Sequence, residues 1–193
     1  MRKMLYLLGL LNEADLEWML ATGRRERVAA GAVLIQEGQP IDAMYIVLHG
    51  RFRVSIAAHS GTDIAGLEAG EVVGEISFVD SRPPTATVTA REEALVLAIP
   101  RRQLVAKLKQ DVGFAARFYH ALSILLADRM RNTVSRLGYN STASLEEDVE
   151  YEDELDTQVL DRLGLAGARF DWMLKRLQGD SPHLQRRASR QEG

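Results

Sequence analysis

The 193 residues contain no cysteine, which removes disulfide staples, thiolate metal ligands and thiol nucleophiles at once. The four histidines, His49, His59, His120 and His183, stand far apart and make none of the short spacings that gather a metal ion. A Gly-x-Ser-x-Gly elbow and a Gly-x-x-x-x-Gly-Lys loop are missing as well, so neither an acyl-transfer nucleophile nor a triphosphate cradle is encoded in a familiar form. No apolar run approaches the ~20 residues that cross a bilayer. Met1-Arg2-Lys3 followed by Met4 to Leu8 imitates a secretory leader, but Asn12, Glu13, Asp15 and Glu17 follow with no small-residue cleavage site. These absences predict a cytoplasmic, non-enzymatic protein with no catalytic residue, no metal site and no membrane association.

Charge is unevenly spread behind a net of −3. Residues 138–193 hold 12 acidic and 7 basic side chains, leaving 15 acidic and 17 basic among residues 1–137. A DNA-reading domain at the C-terminal end would need the opposite sign, with a basic recognition helix for phosphate and base contacts. Lys175-Arg176 is the only adjacent basic pair on the last apolar segment, so no nucleic-acid partner is expected.

Along the chain, Asn12 through Ala21 has the pattern of a short helix. Asn12 stands at the cap, Asp15 in the first turn, Leu16, Met19 and Leu20 on one face, and Gly23 at the stop. From Arg27 to Ile99 the pattern changes to short strands punctuated by glycine-containing turns. Val33–Ile35, Met44–Leu48, Arg51–Ala57, Ile64–Leu67, Val72-Val73, Thr85–Ala90 and Ala94–Ile99 are the candidate strands, and their even spacing argues for a roll, sandwich or barrel. Pro100 opens a helix to about Lys109, and Asp111 caps a long one from Val112 to Leu137 that Gly138 ends. The domain reading is therefore a β domain with flanking helices over residues 1–137 and an acidic linker over 138–156. A helical extension follows over 157–178, interrupted at Gly164 and Gly167, and then a disordered tail over 179–193.

The most informative stretch is Gly70 to Val88, in which a strand runs into Gly74-Glu75, turns through a short helix and re-enters a strand at Thr85-Ala86-Thr87-Val88. Backbone N–H groups at such a helix start suit an anion, and a neighbouring carboxylate suits a sugar hydroxyl. Here the sequence resembles the cyclic-nucleotide-binding domain family, which includes the bacterial catabolite activator, the regulatory subunit of cAMP-dependent protein kinase and cyclic-nucleotide-gated channels. That family's phosphate-binding cassette reads roughly Gly-Glu-Leu/Ile-Ala-Leu, a variable loop, then Pro-Arg-Ala/Ser-Ala-Thr. Gly74, Glu75, Ile76, Pro83, Ala86 and Thr87 match it. Upstream the likeness runs through Gly31, Leu34, Glu37-Gly38, Asp42, Tyr45, Val47 and Gly50, and it covers about Leu7 to Leu137.

The resemblance implies an antiparallel β-roll, jelly-roll-like, with an N-terminal helix and a long C-terminal helix. It also implies a cyclic-nucleotide pocket at Gly74, Glu75, Ile76, Ser77, Arg82, Pro84, Thr85 and Ala86, with Glu75 on the ribose 2′-hydroxyl. One position departs from the pattern: the arginine that clasps the cyclic phosphate falls on Pro84, which has neither charge nor N–H. Losing a charge-assisted hydrogen bond of ~1.5–3 kcal/mol weakens binding roughly 10- to 150-fold.

Arg82, two residues earlier, is a candidate substitute cation and otherwise a solvated loop residue; Arg129 and Arg131 of the long helix are two more. Glu75 equally suits capping the turn or pairing with Arg82. The expectation is a regulatory or interaction module with a degenerate cassette, no required cofactor, and cAMP or cGMP as a weak ligand at most. The alternative is a working cAMP or cGMP sensor that acts on a partner protein through its helices. Leu122, Leu126, Met130 and Val134, followed by Leu137, recur along the long helix and predict a homodimer through residues 112–137.

Overall fold

The computed structural model of the chain describes residues 9–59, 63–80, 82–139 and 167–177. Helix α1 (Glu13–Thr22) starts where the sequence supplies a reciprocal cap. The Asn12 side chain accepts from the Asp15 N–H at 2.9 Å, and the Asp15 carboxylate accepts from the Asn12 N–H at 2.9 Å. Asp15 is nonetheless buried, at 2% exposure, because it accepts two further bonds from Arg117 at 2.6 and 2.8 Å. That fork ties α1 to the long helix 102 residues later, in the bidentate geometry that makes arginine–carboxylate pairs strong. Gly23 ends α1 with φ of −71°, not in the left-handed region. Its role is room: a Cβ there would lie 2.6 Å from Leu97 Cδ1, so only glycine lets the chain pass this close to the sheet.

Eight antiparallel strands follow in two sheets: β1 (Arg24–Val28), β2 (Val33–Ile35), β3 (Ala43–His49), β4 (Phe52–Ser55), β5 (Asp63–Leu67), β6 (Val72–Val73), β7 (Thr87–Ala90) and β8 (Ala94–Pro100). One sheet has the order β1-β8-β3-β6 and the other β2-β7-β4-β5. This is the expected β-roll with its flanking helices. Strand β1 is the element the sequence pattern missed. Its residues Arg24, Arg25, Glu26 and Arg27 are all exposed, so no alternation marks it, and it is held by backbone pairing to β8 from Arg24↔Ala98 to Val28↔Ala94.

Strand β3 is buried on both faces along Ala43 to Leu48, which explains its unbroken apolar composition. Tyr45 and Val47 turn toward the second sheet, beside Phe52, Val88 and Val96. Met44, Ile46 and Leu48 turn the other way, beside Leu16, Phe114, Phe118 and Leu125. The first sheet is thus a middle layer, with a small core inside the roll and a larger one beneath the helices.

The helical layer comprises α1, α2 (Ile76–Asp80), α3 (Arg101–Gln110), α4 (Val112–Tyr139) and α5 (residues 167–177). Asp111 caps α4 through the Phe114 N–H at 2.8 Å, a bond that holds its carboxyl below the usual range. Helix α4 continues through Gly138 to Tyr139, so Gly138 does not stop it. The interior hydrogen bonds of a helix that long outweigh the ~1 kcal/mol by which glycine is disfavoured there. Leu122, expected in a dimer seam, is 2% exposed and belongs to the core beneath the helices, and Leu126 packs against the same core. Among the residues of that stripe whose side chains are described, Met130 and Val134 face outward, at 65% and 61% exposure.

Of the helical extension, α5 packs on the roll. Met173 is fully buried, with Phe170, Trp172, Leu174 and Leu177 around it. Arg169 donates to the carbonyls of Gly9 and Leu11 at 3.2 and 2.8 Å, and Arg25 donates to the carbonyl of Leu177. The acidic stretch and the tail lie outside the described residues.

Candidate functional site

Where β6 leaves the first sheet, Gly74 takes φ of +85°, and a Cβ there would lie 2.8 Å from Ile41 Cδ1 and 3.1 Å from the Ala43 carbonyl. Both the backbone angle and the crowding require glycine. The turn it makes leads into Glu75 and α2, whose first residues line one space with residues of both sheets. The strand floor, α2, the returning segment at residues 84–86 and one side chain from α4 enclose a cavity of about 430 Å³, within the usual range for small-molecule sites. Ile35, Val54, Ala65, Leu67, Val73 and Val88 form its apolar floor. Gly74, Glu75, Ile76, Ser77, Pro84, Thr85 and Ala86 supply the rim, so seven of the eight pocket residues expected from the sequence meet around one space.

The eighth does not join them. Arg82 projects into solvent with its side chain 84% exposed, and its guanidinium lies 3.8 Å from Asp80. Its own N–H is taken by the Asp80 carboxylate at 3.0 Å. Its contacts with Asp80 hold this arginine outside the cavity lining, so it neither replaces the missing phosphate clasp nor pairs with Glu75.

Glu75 pairs instead with Arg129 of α4, which donates to its carboxylate and, at 2.5 Å, to the Val72 carbonyl. Glu75 is 1% exposed. Burial pushes its carboxyl above the ordinary range; the Arg129 charge is the largest opposing influence. Arg129 also lines the cavity, so the long helix reaches the site through this one cation. Sequence spacing made Arg129 a candidate among several. Three-dimensional placement separates it from Arg131, which is exposed and outside the lining.

The rim is braced from two sides. The Gly38 N–H donates to the Pro84 carbonyl at 2.9 Å, and the Glu37 N–H donates to the Thr87 hydroxyl at 3.1 Å. Opposite, Arg101 at the head of α3 donates to the Ser77 carbonyl at 2.6 Å and lies 4.6 Å from the centre of the Phe78 ring. Neither brace had a sequence signal beyond the resemblance, because each joins segments more than twenty residues apart. Among the described residues, no cluster of three or more His, Asp or Glu side chains gathers that could hold a metal ion, and no helix is long and apolar enough to cross a membrane.

Comparison with known proteins agrees with this geometry. Residues 25–111 match the family model described as cyclic nucleotide-binding domain. Lysophospholipase nte1 of Neosartorya fischeri is 31% identical over 124 residues, which is 63% of this chain but 7% of the relative. The chain therefore spans a small fraction of the curated relatives it matches. The catabolite activator protein of Thermus thermophilus superimposes with a TM-score of 0.59 at 27% identity, over 70% of this chain and 63% of that one. A cyclic nucleotide-binding domain from Methylobacillus flagellatus gives a TM-score of 0.65 at 20% identity, over 75% and 85% of the two chains; at that identity the likeness concerns the fold. The stretch from β1 to α3, which supplies all of the cavity lining but Arg129, is thus the part of the chain that matches the cyclic nucleotide-binding domain model.

Proposed function

We propose that this chain is a non-enzymatic regulatory module whose pocket has lost useful affinity for cAMP and cGMP and which works through contacts of its helices with a cytoplasmic partner protein. The observation that carries this reading is the charge arrangement at the rim. Pro84 stands where the family cassette has its arginine, and Arg82 is committed to Asp80. Among the described residues, the cation lining the cavity is Arg129, which is engaged with Glu75. A phosphodiester entering here meets, among those residues, no guanidinium dedicated to it. The ribose-seeking carboxylate must also exchange a buried ion pair for a sugar hydroxyl, which leaves a charge partly uncompensated.

Titration calorimetry and thermal denaturation with millimolar cAMP and cGMP test this. We expect no saturable heat and no shift in the melting temperature. A ligand at one hundred times its Kd would add ~2.7 kcal/mol of stability, so a clear upward shift would overturn the reading.

The module acts as a homodimer through α4 in this proposal, with Met130 and Val134 at its centre. What supports this is their outward exposure on a helix whose other apolar face is already covered. Light scattering should return twice the 21.5 kDa chain mass for the native protein and a monomer for Met130→Glu; a native monomer at high concentration would reject it.

A further inference from the structure

We propose that the cavity under Glu75 is a binding site for a neutral, ring-sized apolar molecule. This rests on the reading that the pocket has abandoned cyclic nucleotides, and it names what the retained space accepts. Three observations bear on it. The cavity persists at about 430 Å³, even though Pro84 stands on its rim. Its floor is aliphatic, with Ile35, Val54, Leu67 and Val88 from the second sheet and Val73 from the first lining one space. Its two charges, Glu75 and Arg129, are opposite in sign and bonded to each other, so the wall offers a guest no net charge.

An anionic guest must give up water and gains no unpaired counter-charge in return, and a cation fares no better; the cost of burying an uncompensated charge is large. A neutral aromatic or alicyclic ring gains ~25 cal/mol for each Å² of apolar surface it removes from water. Ser77 and Thr85 line the same space, and their hydroxyls are the groups to orient a single hydroxyl or amine on its edge. Arg129 brings α4 to the same wall, so a ring seated beneath Glu75 lies against the ion pair. This chemistry selects by shape and neutrality, not by phosphate recognition.

Two fluorophores with the same ring system separate the possibilities. N-phenyl-1-naphthylamine is neutral, and 1-anilinonaphthalene-8-sulfonate is its anionic counterpart. We expect the neutral dye to bind the native chain saturably at one per protomer, at least about tenfold tighter than the sulfonate, a difference of ~1.4 kcal/mol. Ala65→Trp fills the floor and should weaken it by a similar factor. Ala86→Phe fills the rim from a segment outside the strands, and keeps the test valid if the strand variant fails to fold. Unsaturable neutral dye, equal affinity for both dyes, or binding untouched by the folded variants would overturn the proposal. The calorimetry above reads separately: silence with both cyclic nucleotides and with the neutral dye rejects this inference alone, whereas tight cAMP binding rejects the reading beneath it.

Discussion

Arg129→Met should cost about 3 kcal/mol of stability at neutral pH, within the 3–5 kcal/mol typical of removing one partner from a buried ion pair. The arginine head is 23% exposed but the Glu75 carboxylate is 1% exposed, so the stranded charge is the buried one. The loss should depend on pH in a defined direction. In the native chain burial already raises the Glu75 carboxyl, and Arg129 opposes that rise; without the guanidinium it rises further. A group whose folded value lies above its unfolded value, ~4.3 for glutamate, binds its proton more tightly when folded. Its stabilising contribution is therefore complete below the unfolded value and is lost as pH climbs toward the folded one.

Urea denaturation of Arg129→Met should accordingly show a smaller deficit at pH 5 than at pH 8. The double variant Glu75→Gln/Arg129→Met should recover much of it, since a neutral amide leaves no buried charge. A deficit below about 0.5 kcal/mol, the ordinary range of surface substitutions, with no pH slope would mean that the pair is not holding the rim to α4.

Pro84→Arg should increase affinity for cAMP by roughly 10- to 150-fold, the value of one restored charge-assisted hydrogen bond. The main-chain geometry favours the experiment. Pro84 is anchored through its carbonyl to the Gly38 N–H, a bond that any residue retains, and this position already lines the cavity. The gain should be read by calorimetry as saturable cAMP heat from the variant at concentrations where the native chain gives none. A variant as silent as the native chain would show that position 84 does not correspond to the family's phosphate clasp, or that the Glu75–Arg129 pair blocks the sugar regardless of the clasp. Combining Pro84→Arg with Arg129→Met separates these two explanations.

Much of the roll was legible because its strands obey simple rules. Alternation in Phe52 to Ser55 and the unbroken apolar run of β3 each reflect which faces are covered. The cap at Asn12 and the turn at Gly74 are local, and local chemistry can be read from neighbours in the chain. What escaped was set by distance or by backbone alone. Strand β1 carries no apolar pattern and exists by pairing with β8. The outward commitment of Arg82 depends on the turn made by Asp80. Leu122 and Met130 stand on a four-residue spacing that looks continuous in sequence, yet the first meets the core and the second does not. The cassette residues were found as a set, whereas the aliphatic floor beneath them was not, since nothing in β2, β4 or β5 distinguishes a cavity wall from ordinary packing.

The open border of the first sheet has a consequence for how copies of this chain meet one another. Were two β1 strands to join antiparallel about Glu26, the two glutamates would face each other and Arg25 would face Arg27. Like would oppose like at the three central rungs, a pairing that repels. The sequence Arg-Arg-Glu-Arg-Val thus disfavours this register of self-pairing, so its charges bias the border against the centred pairing of two copies.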